Sequence, residues 1–410
     1  MKILFVHQNF PGQFRHTARS LAADSNNTVV AVCINQPGYP TPGVRVFRYK
    51  LEAPKDGATH PLATDFETKI IRGSACAAMC LKLRQNGFEP DVIVAHPGWG
   101  EHFFVKDIWP NARVLMFLEF FYRSEGFDYA FDPEFSTRSV QGLMRLRARN
   151  SSLLTAFDLM DRGVSPTRWQ KSSLPERYQP NVQVVFDGID TDLMVPDASA
   201  AYTLPDGRVV RAGNEILTFV NRNLEPYRGF HIFMRALPAI QKARPEAITL
   251  IVGGDSVSYG ALPRDAKSWR EVMMREVGAE LDMSRIAFLG RIPYSDFRKL
   301  LQVSRVHAYL TYPFVLSWSM LEAMSCGCHV IGSSTGPVRE LIEDGKTGQL
   351  VDFFDVSAWS QRISESLSTP QAFTALRKAA REHIVAHYDL ERICLPQQLD
   401  LISSVLNSRQ

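Results

Sequence analysis

Tyr312-Pro-Phe-Val-Leu-Ser-Trp-Ser-Met-Leu-Glu-Ala-Met-Ser-Cys-Gly327 lies between two short apolar runs, Val306–Leu310 and His329–Gly332. It begins loop-like and turns into an apolar helix start that carries Glu322, followed by the small residues Ala323, Ser325 and Gly327. Strand, loop, helix and strand in that order form the repeating unit of a parallel sheet wrapped by helices. A loop of exposed backbone N–H groups feeding a helix N-terminus suits an anion, because the helix dipole and the orphan donors point the same way. Ser317 and Ser319 add hydroxyls to that loop. A carboxylate one turn in, at Glu322, can accept hydrogen bonds from a diol such as a ribose on the same ligand. The alternative for Glu322 is a capping-box acid at a buried helix start.

The same alternation runs through the chain. In the first half the strand candidates are Ile3–His7, Thr28–Cys33, Val44–Arg48, Val92–His96, Arg113–Leu118, Leu159–Ser165 and Val182–Val185, with helical stretches at Gln13–Ala22, Phe66–Asn86, Gly100–Ile108 and Thr137–Ala156. The second half restarts with strands at Glu215–Val220, Thr249–Gly253, Ile286–Leu289, Val306–Leu310, His329–Gly332 and Gly348–Val351. Its helices are expected at Phe230–Ala243, Ala266–Val277, Tyr294–Val303, Ser319–Ser325, Pro337–Leu341 and Val356–Ser366. A glycine-bearing turn follows the first strand of each half, which predicts two doubly wound α/β domains facing each other. Turn signals in Leu204–Asn214 predict a small surface hairpin near the seam. The expected domains are residues 1–197, residues 198–385, and a helical tail over 386–410 that braces the first domain.

Length agrees: 410 residues are too many for one ordinary core and suit two domains of roughly 200 residues each. The net charge of +3, from 46 Lys and Arg against 43 Asp and Glu, argues against a dedicated nucleic-acid binder. There is no run of about 18 apolar residues, hence no predicted membrane span. The apolar start Met1–Val6 reads as a first strand rather than a signal peptide. Cys33, Cys76, Cys80, Cys326, Cys328 and Cys394 have the spacing of neither a disulfide framework nor a zinc knuckle, so no metal and a reducing, cytoplasmic setting are expected.

Three further segments carry chemistry. In Phe219-Val-Asn-Arg-Asn-Leu-Glu-Pro-Tyr-Arg-Gly-Phe-His231, Arg222 leaves the carboxyl end of a strand and Arg228 precedes the next helix. Ligands of open α/β sheets bind at such strand ends, and two guanidinium groups suit a diphosphate. The alternative is a pair of surface arginines neutralised by Glu225. In the first half, Gly12 sits at a strand-to-helix turn where it permits close backbone approach of a phosphate or sugar. His96 ends a strand, where it can hydrogen-bond a sugar hydroxyl or satisfy a local turn.

Together these residues resemble the family-4 retaining glycosyltransferases (glycosyl transferases group 1), over essentially the whole chain. The resemblance is most specific in Asn221–His231, Gly290–Pro293, Tyr312–Cys328 and Gly332–Asp352. It implies the GT-B fold: two Rossmann-like doubly wound domains facing across a cleft, with a C-terminal helix crossing back to the first. It implies that Arg222 and Arg228 hold the donor diphosphate, Glu322 the ribose, and the amides of Ser317, Trp318 and Ser319 the phosphates. Arg291 and Ile292 would sandwich the base, Gly12 would lie beside the diphosphate, and His96 near the donor sugar. The sequence departs from the family pattern twice. Arg228 stands where lysine is usual, and Phe314 stands where the first glutamate of a pair normally touches the sugar. Without that glutamate, the sugar's polar contacts fall to Ser317, His96 or backbone amides.

The implied activity is retaining, metal-independent transfer of a sugar to an acceptor hydroxyl. The donor would be a UDP-sugar first and a GDP-sugar second, the acceptor a carbohydrate or lipid-linked molecule of bacterial polysaccharide or glycolipid biosynthesis, with no cofactor. A nucleotide-sugar-binding protein with lost or reduced catalysis is the alternative that Phe314 raises. A pyridoxal-phosphate phosphorylase lacks an evident cofactor lysine, and a dinucleotide oxidoreductase lacks Gly-x-Gly-x-x-Gly after either first strand. The aromatic, charged segment Glu119–Asp132 is an acceptor-binding candidate or a packed loop. The basic helix Arg138–Arg149 is a solvated face or a weak peripheral contact with an anionic membrane, on its inner face.

Overall fold

The computed structural model describes residues 1–51, 57 and 59–407. Contacts divide the chain into two compact units, Met1–Gly188 with Glu391–Gln410, and Ile189–Leu390. The seam thus falls before the 197/198 position and the return after 385/386. The reason is local pairing: Ile189 N–H donates to Tyr388 O and Leu390 N–H to Ile189 O, each at 2.8 Å, so both segments belong to the second unit. The final positions of the expected 386–410 tail, 408–410, lie outside the described residues.

The first unit is built on a parallel sheet of β1 (Lys2–Val6), β2 (Thr28–Cys33), β3 (Arg45–Arg48), β4 (Val92–Ala95), β5 (Arg113–Phe117), β6 (Arg162–Ser165) and β7 (Val182–Val184), in the order β3-β2-β1-β4-β5-β6-β7. Its central strands are continuous apolar runs because both faces are covered. Leu4, Val6, Val30, Val32, Ile93 and Ala95 point into one core with Cys76, Cys80 and Leu83 of the helix α2 (Thr64–Gln85), which follows α1 (Arg15–Ala23). Ile3, Phe5, Val29, Ala31, Val92 and Val94 point the other way, into a core shared with Ala18 and Leu21 of α1. Leu401, Ile402 and Val405 of the C-terminal helix Leu395–Asn407 fill the same second core. All six cysteines are buried free thiols.

Three more helices follow in this unit: α3 (Val105–Ile108), α4 (Val140–Leu159) and α5 (Arg168–Ser173). The helix expected over Gly100–Ile108 is only its last turn, because Gly100 adopts φ +104 and its missing side chain admits the Lys69 backbone. Helix α5 is an addition to the sequence reading, although its signal is present. The Thr167 hydroxyl caps Gln170 N–H at 3.0 Å, and Thr167-Arg-Trp-Gln170 has capping-box spacing.

The second unit opens with an antiparallel hairpin, β8 (Ala201–Thr203) and β9 (Val209–Arg211). A parallel sheet follows, of β10 (Ile216–Asn223), β11 (Ile248–Gly254), β12 (Ile286–Gly290), β13 (Val306–Tyr309), β14 (His329–Ser333) and β15 (Gln349–Val351), ordered β12-β11-β10-β13-β14-β15. Its helices are α6 (Phe230–Ala243), α7 (Trp269–Val277), α8 (Tyr294–Val303), α9 (Trp318–Ser325), α10 (Gly336–Arg339), α11 (Val356–Ser368) and α12 (Thr374–Tyr388). In both units the sheet grows outward on either side of its first strand, the doubly wound arrangement that leaves loops at the carboxyl ends of the strands. Among the described residues no helix is long and apolar enough to cross a membrane.

Candidate functional site

In the second unit the chemistry gathers at the carboxyl ends of β10, β12 and β13. The register of β10 against β11 shifts between Val220 and Asn223, and Arg222 stands exposed at that irregularity. Arg228 is different: it ends the short turn Pro226–Arg228 and is only 6% exposed. One guanidinium nitrogen donates to Thr311 Oγ1 at 2.7 Å and to Val315 O at 2.9 Å, and the guanidinium carbon lies 5.0 Å from the centre of the Tyr259 ring. Gly229 makes this turn possible. It has φ +66, and a Cβ there would lie 2.3 Å from that of Leu310.

Glu225 does not neutralise a surface arginine pair. It is fully buried, and its carboxylate accepts the backbone N–H groups of Ser258, Tyr259 and Gly260 at 2.9, 3.2 and 3.0 Å. It thereby holds the loop that presents Tyr259 to Arg228. Asn223 bonds Ser258 Oγ at 2.8 Å and accepts from the Arg291 guanidinium at 3.1 Å, which ties the exposed Arg291 to the end of β10. Ile292 beside it is half-buried.

Helix α9 starts at this same edge. Ser317 is its N-cap but makes no side-chain cap; its hydroxyl instead lies 3.1 Å from that of Ser319, while its N–H donates to the Tyr309 hydroxyl at 2.8 Å. Trp318 is exposed. Glu322 is 7% exposed and accepts a 2.7 Å hydrogen bond from the Tyr294 hydroxyl. This bond points across to α8 rather than back along α9, so Glu322 is no capping-box acid. Burial pushes its carboxyl up to about 7, with the Tyr294 hydrogen bond opposing that shift. Phe314 is buried in an aromatic group, with ring centres 4.8 Å from Tyr259 and 5.5 Å from Tyr227.

The first unit has its own polar cluster at the ends of β1, β4 and β5. Val6 pairs with Ala95, so His7 and His96 emerge side by side, their rings 5.3 Å apart. Each imidazole is oriented by a backbone donor: Asn9 N–H reaches His7 Nδ1, and Gly98 N–H reaches His96 Nδ1, both at 3.0 Å. His7 Nε2 lies 3.0 Å from Gln13 Oε1, and Gln13 Nε2 donates to Glu119 Oε1 at 3.3 Å. Burial, then the neighbouring His96, pushes the His7 imidazole down to about 3. His7 is therefore neutral, donating from Nε2 to Gln13.

His96 is buried between Trp99 and Phe117, with ring centres 4.5 and 5.5 Å away, and its Nε2 faces Glu119 Oε2 at 3.8 Å. Glu119 is the half-exposed member of the group, its side chain 34% accessible. Gly12, at φ +48, is demanded by the His7 ring itself, since a Cβ would lie 2.6 Å from its Cε1. A Gly12→Ala variant is accordingly expected to lose about 1–2 kcal/mol of stability, read from denaturant unfolding, whether or not any ligand approaches this turn.

Two family models match most of the chain, though not the segment that carries His7, Gly12 and Gln13. The one described as "Glycosyl transferase family 4 group" covers residues 25–194, and "Glycosyl transferases group 1" covers residues 206–383. The chain belongs to the family-4 glycosyltransferases. Among relatives of the family, a D-inositol 3-phosphate glycosyltransferase of Mycobacterium sp. (strain JLS) is 29% identical over 215 residues, covering 52% of this chain and 45% of that protein. Spore coat protein SA of Bacillus subtilis is 26% identical over 183 residues, 44% of this chain and 47% of that protein. The chain thus spans about half the length of the curated relatives it matches.

Solved structures match end to end. Sucrose-phosphate synthase from Thermosynechococcus elongatus aligns with a TM-score of 0.71 at 20% identity, covering 100% of both chains. The Anabaena protein HepE, solved with UDP and glucose, aligns with a TM-score of 0.66 at 16% identity, also covering 100% of both chains. At these identities the likeness establishes the fold, which is GT-B.

Within the second unit, interactions tie several of the family-implied residues to one edge. Arg228 joins β10 to the loop after β13, Arg291 is tied to β10, and Glu322 on α9 meets α8. Sequence reasoning missed Tyr294, Tyr259 and Asn223 there, and His7 and Gln13 in the first unit; it named Glu119 only as the start of a segment that binds an acceptor or packs as a loop, not as a partner of Gln13 and His96. Only His7 left a usable signal, since it ends the first strand as His96 ends the fourth.

Proposed function

We propose that this family-4 chain transfers a sugar from a nucleotide diphosphate sugar to an acceptor hydroxyl with retention at the anomeric carbon. The observation that carries the reading is Arg228: a guanidinium buried and fixed by two hydrogen bonds at a strand-end edge that also holds Glu322 and the start of α9. A fixed cation in a partly dry site stabilises a departing diphosphate without reorganising as the charge develops. The bond from the anomeric carbon to the diphosphate oxygen breaks and its electron pair leaves with the phosphate. The acceptor oxygen bonds to the same face of the sugar and its proton passes to the departing phosphate oxygen. Exposed Arg222 and buried Arg228 supply the positive charge, so no metal and no further cofactor are invoked.

Glu322 would accept the ribose hydroxyls in place of Tyr294. The amides of Ser317, Trp318 and Ser319 would face the phosphates, and Arg291 and Ile292 the base. In the first unit Glu119 is the accessible group for a sugar hydroxyl, with His96 positioned behind it and Gly12 shaping the turn. A UDP-sugar is favoured because HepE has been solved with UDP-glucose, and a GDP-sugar is the second candidate. The acceptor we propose is a carbohydrate or lipid-linked molecule of bacterial polysaccharide or glycolipid biosynthesis, the class that the family resemblance implies. Six buried free thiols support a reducing, cytoplasmic setting.

A second reading rests on Phe314. Its ring is packed among Tyr227 and Tyr259 where the family pattern has a sugar-binding glutamate, which favours a nucleotide-sugar-binding protein of reduced catalysis. Thermal shift followed by donor hydrolysis decides between the two. UDP at about a hundred times its Kd is expected to add about 2.7 kcal/mol to stability, and UDP-sugars to be slowly hydrolysed without acceptor. A shift with neither hydrolysis nor transfer would support the second reading, and no shift with any nucleotide would reject both.

A further inference from the structure

Helix α4 has no fully buried residue along its first half, where only Gly142, Leu146 and Ala148 are half-buried. Its buried residues are Asn150, Ser152, Leu153, Ala156 and Phe157, all in the second half, whereas Val140 is 68% exposed, Met144 50% and Leu143 42%. Val140, Leu143, Met144, Arg147, Ser151 and Leu154 recur at helical spacing and share one face, and Leu154 is 40% exposed. The charge on this segment has one sign. From Phe135 to Phe157 the sequence has no acidic residue and four arginines, with Asp158 the first acid beyond. Arg138 pairs with Glu125 at 3.1 Å and Arg149 lies over the Tyr122 ring at 3.9 Å. Arg145 and Arg147 are exposed beside the apolar residues.

We propose that this face of α4 is a docking surface for an anionic lipid bilayer. Its axis would lie in the headgroup plane, with Val140, Leu143, Met144 and Leu154 entering the acyl boundary. Arg147, inside the apolar stripe, reaches back to the headgroups through its long stem, and Arg145 binds lipid phosphates from the flank. Charge decides against a second copy of the chain as occupant. A two-fold pairing would set this acid-free, arginine-bearing face against itself, with no carboxylate on either copy to meet Arg145 and Arg147, whereas an anionic lipid surface complements both the charge and the apolar stripe.

The test is co-sedimentation of the full chain with vesicles of phosphatidylcholine alone and with phosphatidylglycerol admixed. Binding is expected on the anionic vesicles only and should weaken with salt. Arg145→Gln with Arg147→Gln should lower the partition about twenty-five-fold, taking about fivefold for each arginine at a charged surface. Leu143→Gln with Met144→Gln should also release the protein. These side chains are exposed, so all variants should keep the parent melting temperature. Equal binding to both vesicle types, no binding to either, or unchanged binding by the arginine variant would overturn the proposal. So would light scattering that finds a dimer which the Leu143/Met144 variant dissociates.

Discussion

Replacing Arg228 with alanine is expected to lower turnover of a nucleotide diphosphate sugar by one to three orders of magnitude, about 1.4–4 kcal/mol of transition-state stabilisation. The guanidinium is held by Thr311 Oγ1 and Val315 O, so its position does not depend on the substrate. Because the side chain is buried, removing it also strands two acceptors, and unfolding must be measured beside the kinetics. Arg228→Lys separates the two effects, for it keeps the charge and loses the two-point fixation. It should recover part of the turnover. A folded Arg228→Ala protein with full activity would remove the diphosphate from this edge.

The second large effect concerns pH. Burial raises the Glu322 carboxyl to about 7, while a ribose needs the ionised form to accept its two hydroxyls. Affinity for a nucleotide diphosphate sugar should therefore fall as pH drops below about 7, approaching tenfold per pH unit. Calorimetric titration across the neutral range measures this, and Glu322→Gln should bind weakly with no such slope. Tyr294→Phe should move the midpoint upward, since the Tyr294 hydrogen bond favours the carboxylate.

Stability should run the opposite way. The folded carboxyl holds its proton longer than the unfolded one, so its contribution is fully present below the unfolded value of about 4.5 and is lost as pH rises to about 7, a loss on the order of 3 kcal/mol. Melting curves of the parent protein against Glu322→Gln isolate that contribution. A pH-independent difference between them would mean that Glu322 ionises normally.

The strands were legible because each is a short apolar run closed by a turn residue. Helices α6 and α8 were legible to their ends because their apolar spacing is regular. Gly100 was misread because a glycine inside a helical pattern does not declare its φ. The site was legible where its members lie close in sequence, as in Asn221–Gly229 and Ser317–Glu322. It was illegible where the sheet brings distant segments together. Phe314 reads as a lost carboxylate in the sequence, and only the packing of Tyr227 and Tyr259 against it shows what replaced one. Glu119 likewise gains meaning from Gln13 and His96, which come from two other strand ends.

The return of the C-terminal helix to the first unit has a consequence for dissection and inheritance. Ile189–Leu390 is one uninterrupted stretch, so the second unit could be expressed, shuffled or exchanged as a single cassette. The first unit is discontinuous. A fragment cut at Gly188 would expose the apolar patch that Leu401, Ile402 and Val405 cover, and such a patch invites aggregation. Loss of the helix Leu395–Asn407 would thus damage the unit whose other residues are made first.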